Sequence, residues 1–284
     1  MPQDIKKTSS LEYFPPRSKK GEQSLASARK ELSKLKPAFA SVTFGAGGST
    51  QDGTYQTVKA IIQEDGLDAA PHISCISTNR DTLAQMLVEY RELGVKRLVA
   101  LRGDIPSGYG TAEHNELRYA NELVEFIRQL TGDYFTIEVA AYPEFHPQAS
   151  SAKADLINFK RKVDAGADSA ITQYFFNPDA YFRFIDDCQK MGLKIPVIPG
   201  IMPITNYKQL ARFSDACGAE IPRWIRKRLE SYGDDLESIR EFGLDVVIRL
   251  CEQLLEGGAP GLHFYSMNRS EPVQTIWNHL KLSG

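Results

Sequence analysis

The feature that most constrains this chain is the alternation of short β-rich runs with longer amphipathic segments. The β-rich runs are residues 10–14, 39–44, 72–76, 97–101, 135–141, 169–175, 196–201 and 261–265. Strands that alternate with helices form parallel β/α units, and a count of eight favours closure into a barrel. The sequence therefore predicts an α/β protein with a (β/α)8 TIM barrel. An open flavodoxin-like or Rossmann sheet is the main alternative.

The segments between these runs have helical spacing. Apolar residues recur at i, i+3, i+4 and i+7 within residues 83–90, and Gly94 is suited to end that helix. The same spacing occurs in residues 117–130, 154–165 and 179–191. Asp81 and Asp179 are expected to be N-caps or acids of the first helical turn.

The interval between the seventh and eighth runs, residues 202–260, is about twice as long as the others. We expect it to contain extra helices between strands 7 and 8. The chain shows no internal repeat, low-complexity tract or linker, so residues 1–284 are predicted to form a single barrel domain.

Composition narrows the possible functions. The formal net charge of −2 gives no reason to expect nucleic acid as a partner. No stretch approaches the ~20 apolar residues that a membrane-spanning helix needs. The four cysteines form no CxxC pair and the N-terminus has no apolar signal, so we expect a cytoplasmic protein. The five histidines show neither an HxH pair on a strand nor an HExxH motif, so no metal site is predicted.

Active sites of β/α barrels lie at the C-terminal ends of the strands, and this rule directs attention to Glu12 on the first strand. Its chain neighbours Leu11, Tyr13 and Phe14 are apolar. Apolar surroundings would raise the pKa of the carboxyl group and suit it to donate a proton. An ordinary charged residue on a poorly formed first strand fits the pattern equally well.

A glycine cluster, residues 45–48, follows the second strand and precedes Ser49 and Thr50. Glycines let the backbone approach a ligand, and Ser49 or Thr50 can cap the next helix. The cluster is neither GxGxxG nor a P-loop, so a structural turn is favoured over a phosphate site. After the fourth strand, Arg102-Gly103-Asp104 allows either phosphate binding by the arginine or helix capping by the aspartate.

The loop after the fifth strand, residues 142–147, is rich in aromatic rings and proline. Such a stiff loop can form a wall for a planar ligand. In the next helix Asp155, Asn158 and Lys162 lie near one face, for which exposure to solvent is the favoured interpretation. Gln173 on the sixth strand needs a partner if it is buried, and Asn268-Arg269 after the eighth strand can pair with a ligand carboxylate.

Nine stretches together resemble the catalytic domain of the methylenetetrahydrofolate reductases. They are residues 11–17 (LEYFPPR), 41–48 (SVTFGAGG), 70–72 (APH), 101–104 (LRGD), 140–144 (AAYPE), 160–166 (KRKVDAG), 171–173 (ITQ), 199–203 (PGIMP) and 263–269 (HFYSMNR). Each motif is weak alone, but nine in the same order along nearly the whole chain are specific.

This resemblance implies a barrel that binds FAD noncovalently and takes electrons from NADH or NADPH. It implies a ping-pong reaction in which the nicotinamide product leaves before 5,10-methylenetetrahydrofolate is reduced to 5-methyltetrahydrofolate. That activity belongs to one-carbon metabolism and supplies methionine synthesis, and a homo-oligomer is expected. Tyr13 stands where phenylalanine is also common in the family, and the GAGG turn leaves the choice between NADH and NADPH open.

The resemblance also implies roles for individual residues. Glu12 matches the general acid of the folate reaction, and Asp104 matches the acidic residue close to the flavin. Positions that match FAD contacts are Thr43, Phe44, Ala46, His72, Arg102, Gly103, Asp104, Ala120, Tyr142, His146, Ala149, Asp155, Asn158, Arg161 and Lys162. Positions that match the substrate side are Gln173, Gln209, Phe213 and Arg269, of which Phe213 matches an aromatic residue that stacks on folate or nicotinamide.

Two other functions remain open at this point. One is a pterin-binding barrel that transfers or condenses groups without redox chemistry, which would not need the residues matched to FAD. The other is a folate- or flavin-binding protein without catalytic turnover.

Overall fold

The computed structural model of the chain describes residues 7–44, 48–76, 78–103 and 116–282, with the backbone alone for residues 48–51. Within these residues it has nine strand segments. They are β1 (Thr8–Tyr13), β2 (Ala40–Val42), β3 (Ala69–Ser74), β4 (Arg97–Leu101), β5 (Thr136–Ala141), β6 (Ser169–Thr172), β7 (Val197–Ile198), β8 (Gly200–Ile201) and β9 (Gly261–Tyr265).

The helices of the described residues follow the strands. They are α1 (Lys19–Leu32), α2 (Gly48–Gln63), α3 (Arg80–Glu92), α4 (Ala120–Thr131), α5 (Ala152–Asp164), α6 (Pro178–Lys190), α7 (Tyr207–Cys217), α8 (Arg223–Ser231), α9 (Leu236–Glu256) and α10 (Glu271–His279). A 3-10 helix, Ser33–Leu35, extends α1. Helices α7, α8 and α9 lie between β8 and β9, which confirms the predicted extra helices.

The sheet closes into a barrel at Pro199. Its strand order is β7-β6-β5-β4-β3-β2-β1-β9-β8, and all neighbouring strands are parallel. Because β7 pairs with β6 and β8 pairs with β9, the two segments are halves of one strand that Pro199 interrupts. Proline has no N–H to donate to a neighbouring strand, so the ladder breaks there. The eight resulting strands confirm the predicted (β/α)8 barrel.

Asparagine side chains begin the two helices for which acidic residues were considered as caps. Asn79 accepts a hydrogen bond from Thr82 N at 2.8 Å, and Asn177 accepts one from Asp179 N at 3.0 Å. Asp81 and Asp179 are therefore acids of the first turn, where they interact favourably with the helix dipole. Gly94 has a φ of 88° just beyond α3, as a helix-ending glycine requires.

The strands separate two apolar regions. Leu11 and Tyr13 of β1 are buried in the large core between sheet and helices, whereas Ser10 and Glu12 face the barrel interior, as strand alternation requires. A small interior cluster contains Phe39, Ala70, Val99 and Ile171. This cluster therefore separates polar groups near the C-terminal ends of the strands from those near the N-terminal ends.

Gly200 permits the closure between β6 and β9. A Cβ atom at this position would lie 2.2 Å from the carbonyl oxygen of Thr172 and 2.7 Å from the Tyr265 ring. We therefore predict that Gly200→Ala lowers the free energy of unfolding by about 2 kcal/mol, a typical cost of overpacking, in urea denaturation followed by circular dichroism.

Gly21→Ala is the matched control. Its added Cβ would meet Pro16 at 3.3 Å, and alanine favours the helix, so we expect a change below about 1 kcal/mol. Equal stability of Gly200→Ala and the parent chain would contradict the steric argument.

Candidate active site

Glu12 occupies the mouth of the barrel at the C-terminal end of β1. Its Oε2 atom lies 3.4 Å from Nε2 of His72 and 3.7 Å from Nε2 of His263. The hydroxyl of Ser41 donates to the same oxygen at 3.5 Å. These neighbours come from β3, β9 and β2, so barrel closure assembles a polar cluster around one carboxylate.

This cluster corrects the prediction that Glu12 has apolar surroundings and a raised pKa. Burial alone raises the pKa of Glu12. The hydrogen bonds with His263 and His72 and the charge of both rings outweigh burial and lower this pKa to about 2. The prediction was wrong because it considered only the chain neighbours of Glu12. The two imidazoles belong to β3 and β9, which are distant in the sequence. Glu12 therefore rests as a carboxylate beside groups that can pass it a proton.

His263 is held rigidly beneath Glu12. Its Nδ1 atom lies 2.7 Å from Oγ of Ser10, and its Nε2 lies 3.5 Å from Oγ of Ser41. Its ring, which is completely buried, stacks on Phe39 with a centroid distance of 6.0 Å. These contacts orient Nε2 towards the carboxylate.

The loop after β4 packs closely against β3. Gly103 has a φ of 87°, and a Cβ there would lie 1.9 Å from Oγ of Ser74. Ser74 donates to the carbonyl oxygen of Arg102 at 2.8 Å, and the half-buried Arg102 guanidinium donates to the side chain of Gln148. This packing requires glycine at 103 and fixes Arg102 at the rim of the mouth.

The aromatic loop after β5 is anchored to the first turn of α5. The rings of Tyr142 and His146 contact each other edge to face at a centroid distance of 4.6 Å. The backbone N–H of His146 donates to Asp155 at 3.0 Å, and Nδ1 of His146 accepts from Gln148 N at 3.0 Å. Asp155 thus has a structural partner and is not simply solvated.

Lys162 departs from the interpretation of α5 as a solvated face. It is half-buried, and its Nζ donates to the carbonyl oxygen of Ala140 at the end of β5 at 2.5 Å. Burial lowers the pKa of Lys162 to about 8, while the charge of Asp155 opposes this shift. Asn158 is exposed, as that interpretation required, and the exposed Arg161 donates to it at 3.0 Å.

Helix α7 forms the opposite wall of the mouth. Tyr174, just after β6, is hydrogen-bonded to Ser214 of α7 at 3.0 Å. Gln173 precedes Tyr174 and accepts from its backbone N–H at 2.9 Å. Gln209 and Phe213 are half-buried and four residues apart, so they share one side of α7. Three of the four residues matched to the substrate side thus lie just after β6 or on α7, which the bond between Tyr174 and Ser214 joins.

In the loop after β9, the adjacent residues Asn268 and Arg269 have different surroundings. Asn268 is buried and binds the backbone of Phe14 twice, accepting from its N–H at 3.1 Å and donating to its carbonyl oxygen at 2.8 Å. The Asn268 side chain therefore ties this loop to the end of β1. Arg269 is exposed at the rim and keeps its guanidinium available to a ligand.

The comparisons with known proteins identify the family. The family model of methylenetetrahydrofolate reductase matches residues 1–281. This chain belongs to the methylenetetrahydrofolate reductase family. The 5,10-methylenetetrahydrofolate reductases of Salmonella typhimurium and Escherichia coli are each 43% identical to it over 271 residues, which cover 95% of this chain and 90% of each relative.

Solved structures show the same fold at low sequence identity. An uncharacterized protein from Clostridium thermocellum that binds two copies of 5-methyl-5,6,7,8-tetrahydrofolic acid superposes with a TM-score of 0.63 at 16% identity, over 95% of this chain and 94% of that chain. The dihydropteroate synthase of Xanthomonas albilineans superposes with a TM-score of 0.53 at 10% identity, over 99% and 96% of the two chains. These likenesses support the barrel alone.

The remaining positions inferred from the methylenetetrahydrofolate reductase resemblance lie at the same end of the barrel. Thr43 and Phe44 follow β2, Ala120 is the first residue of α4, and Ala149 lies in the loop before α5. Asp104 and Ala46 lie outside the described residues.

The sequence prediction assigned no role to Ser10, Ser41 and His263 around Glu12. Strand alternation offered a signal for one of them, because Ser10 stands two residues before Glu12 on the same face of β1. The described residues contain no group of three or more His, Cys, Asp or Glu side chains that could hold a metal ion. Among them there is also no helix with the length and apolar character needed to span a membrane.

Proposed function

We propose that this chain reduces 5,10-methylenetetrahydrofolate to 5-methyltetrahydrofolate, with FAD as its bound redox group and NADH or NADPH as the electron donor. The observation that carries the proposal is Glu12, a carboxylate in the barrel mouth that contacts two imidazoles, in a chain of the methylenetetrahydrofolate reductase family. Ring opening of the folate requires a proton at a nitrogen, and such a cluster can supply it.

The residues along β3, β4 and α5 fit an FAD molecule. The buried His72 ring lies between Glu12, 3.4 Å from its Nε2, and the loop after β4, which places it beside the proposed FAD site. Gly103 allows close approach of the backbone. The cations of Arg102 and Lys162 suit the phosphates of a dinucleotide. The aromatic pair Tyr142 and His146 offers a wall for a planar or ribosyl group.

When bound, FAD supplies the two-electron chemistry that links the nicotinamide to the folate. The protein's own residues then orient substrates and move one proton. Glu12 holds the proton-donating position, and His72 and His263 keep a proton within reach of Oε2. Gln173 and Gln209 can pair with the polar edge of a pterin, and Phe213 can stack on its ring.

A single mouth serves both substrates in this proposal. Pterin and nicotinamide rings are both flat, so each can lie against Phe213 in turn. Below Glu12 the cluster around Phe39 fills the barrel interior. Among the described residues, this part of the barrel therefore has no room for a second flat ring. The resulting ping-pong order makes the two half-reactions separable by experiment.

The decisive experiment follows the visible flavin spectrum of the purified protein. We expect the protein to take up FAD, to bleach anaerobically with NADH or NADPH, and to recover its colour on addition of 5,10-methylenetetrahydrofolate. A protein that does not take up FAD would overturn the proposal. Bleaching without recovery would leave a flavoprotein with a different acceptor, and would exclude folate reduction.

Lys162 provides a test of the proposed FAD site. We predict that Lys162→Met weakens FAD binding by about tenfold or more, because it removes a charge-assisted hydrogen bond to an anionic ligand. Because burial lowers the pKa of Lys162 to about 8, the affinity of the apoprotein for FAD should fall as the pH rises through about 8. Titration of apoprotein with FAD, followed by fluorescence quenching, measures both effects.

Lys160→Met is the matched control on the same helix, since Lys160 pairs with Asp164 at 2.6 Å. It should leave FAD affinity and its pH dependence unchanged. A Lys162→Met protein that keeps the parental affinity and the parental pH dependence would contradict a role for Lys162 in FAD binding.

A further inference from the structure

The aromatic loop that follows β5, residues 142–147, is fastened to the end of α7. The half-buried carboxylate of Glu144 accepts a hydrogen bond from the backbone N–H of Glu220 at 2.8 Å. We propose that Glu144 is a positioning residue, which holds α7 and the substrate-side residues on it against the proposed flavin wall, Tyr142 and His146. This inference rests on the proposed function and adds a residue outside the sets matched to FAD and folate.

A second contact lies beside this hydrogen bond. Gly218 ends α7 with a φ of 75°, and a Cβ atom there would lie 3.2 Å from Cδ of Pro147, so the proline ring lies against the end of the helix. Glu144, Tyr174 and Cys217 line a small cavity between the loop and α7. The two segments therefore face each other directly. Their loop–helix contact consists of Glu144, Pro147, Gly218 and Glu220.

The loop needs such an anchor because its backbone is strained. Phe145 has a φ of 72°, in the left-handed region that an aromatic residue rarely adopts, and its N–H closes a turn onto the carbonyl oxygen of Tyr142 at 3.1 Å. Its side chain is 49% exposed, so it does not anchor the turn itself. Strained backbone persists only where the surroundings hold it. Here the Glu220 N–H holds one side of the loop and Asp155 holds the other.

Helix α7 depends on contacts at its end. Of its eleven residues only Leu210 and Ser214 are buried, whereas α6 buries four. An element with few buried apolar contacts opens at a low cost in free energy. Tyr174 is hydrogen-bonded to Ser214 at 3.0 Å, and the Glu144 carboxylate holds the segment just beyond the helix. Loss of that carboxylate would therefore let α7, which carries Phe213, move away from the mouth.

The surroundings of Glu144 suit its carboxylate to this role. Burial raises its pKa, and the hydrogen bond from the Glu220 N–H and the charge of Arg183 on α6 offset that rise only in part. An acceptor that is partly removed from water gains more from one N–H than an exposed acceptor does, because water competes less for it. The side chain of Glu220 is exposed, so this residue takes part in the contact through its backbone.

The test measures the KM of the FAD-loaded full chain for 5,10-methylenetetrahydrofolate and for NADH or NADPH. We expect Glu144→Met to raise both KM values by about fivefold, the usual net contribution of one hydrogen bond. The maximal rates of the two half-reactions should change by less than about twofold, because only the fraction of protein competent to bind is reduced. Glu144→Gln keeps an acceptor oxygen and should retain KM values close to those of the parent.

Hydrogen–deuterium exchange of the FAD-loaded chain without substrate gives a second readout. The amides of α7 and of Glu220 should exchange faster in Glu144→Met than in the parent, and at nearly the parental rate in Glu144→Gln. Pro147→Ala weakens the other half of the loop–helix contact and should raise both KM values in the same direction, but by less. This variant tests the contact even if Glu144→Met does not fold.

Glu220→Met is the matched control, since it removes a carboxylate from the same contact but leaves the backbone N–H in place. It should preserve both KM values and the exchange rates. Unchanged KM values in Glu144→Met, or lower maximal rates without a rise in KM, would overturn the inference while folate reduction stands. A Glu144→Gln protein or a control as impaired as Glu144→Met would overturn it as well. A parent that reduces no folate would instead overturn the proposed function, on which the inference rests.

Discussion

Glu12→Gln is expected to slow folate reduction by about 10²- to 10⁴-fold, the usual contribution of a general acid. Reduction of the flavin by NADH or NADPH should remain nearly unchanged in the same variant, because hydride transfer from nicotinamide needs no proton from Glu12. Anaerobic stopped-flow measurement of each half-reaction separates the two effects.

The physical reason lies in how Glu12 shares a proton with its neighbours. Burial raises its pKa, but contacts with His263 and His72 lower it to about 2, so the resting carboxyl group carries no proton of its own. The hydrogen bonds with His263 and His72 contribute more to this lowering than the charge of the two imidazoles does. We therefore expect the proton that Glu12 delivers to come from the neighbouring imidazoles, whose Nε2 atoms lie 3.4 and 3.7 Å from its Oε2. A glutamine can accept and donate hydrogen bonds at this place, but it cannot relay the proton.

Two controls make this result specific. Glu22→Gln changes an exposed glutamate of α1 and should alter neither half-reaction. Glu12→Asp keeps a carboxylate but withdraws it from the imidazoles, so we expect it to fall between the parent and Glu12→Gln. Equal loss of both half-reactions in Glu12→Gln would show that Glu12 shapes the flavin site, and would contradict the acid role.

Local sequence patterns were sufficient for the order of elements and for several boundaries. The runs at residues 97–101 and 261–265 coincide with β4 and β9, since each is a short apolar run that a turn ends. The run at residues 39–44 was too long, because only Ala40–Val42 pair with both neighbouring strands, and pairing depends on partners that a local pattern does not contain. The interruption of the seventh strand was visible in principle, since Pro199 lacks an N–H.

The site was less accessible from the sequence than the fold. The rule that active sites lie at the C-terminal ends of the strands directed attention to Glu12. Side-chain alternation along β1 separates the residues into two faces, but it does not show which face points into the barrel. Only the register with β2 and β9 places Ser41 and His263 beside it. Helical spacing likewise placed Lys162 and Asn158 on one face of α5. In the structure α5 packs on β5, so Lys162 is partly buried while Asn158 is exposed.

A buried ion pair lies towards the N-terminal ends of the barrel strands. Glu138 of β5 is completely buried, and its carboxylate pairs with Arg97 of β4 and accepts from Ser169 at 2.5 Å. The Arg97 guanidinium also lies 4.6 Å from the centroid of the Phe39 ring, which stacks on His263. This ion pair is therefore linked through Phe39 to the polar cluster around Glu12.

Arg97→Met is expected to lower the free energy of unfolding by about 3–5 kcal/mol, because it leaves a buried carboxylate without its cation. The double variant Arg97→Met/Glu138→Leu should recover most of that loss, since it removes both charges and fills the space with apolar atoms. Arg249→Met is the control: its pair with Asp245 is exposed, so its loss should cost less than about 1 kcal/mol. Urea denaturation of the four proteins at one FAD concentration gives these values. Two results would contradict the role of Arg97 in holding Glu138. One is a smaller loss of unfolding free energy in Arg97→Met than in Arg249→Met. The other is a double variant that is no more stable than Arg97→Met.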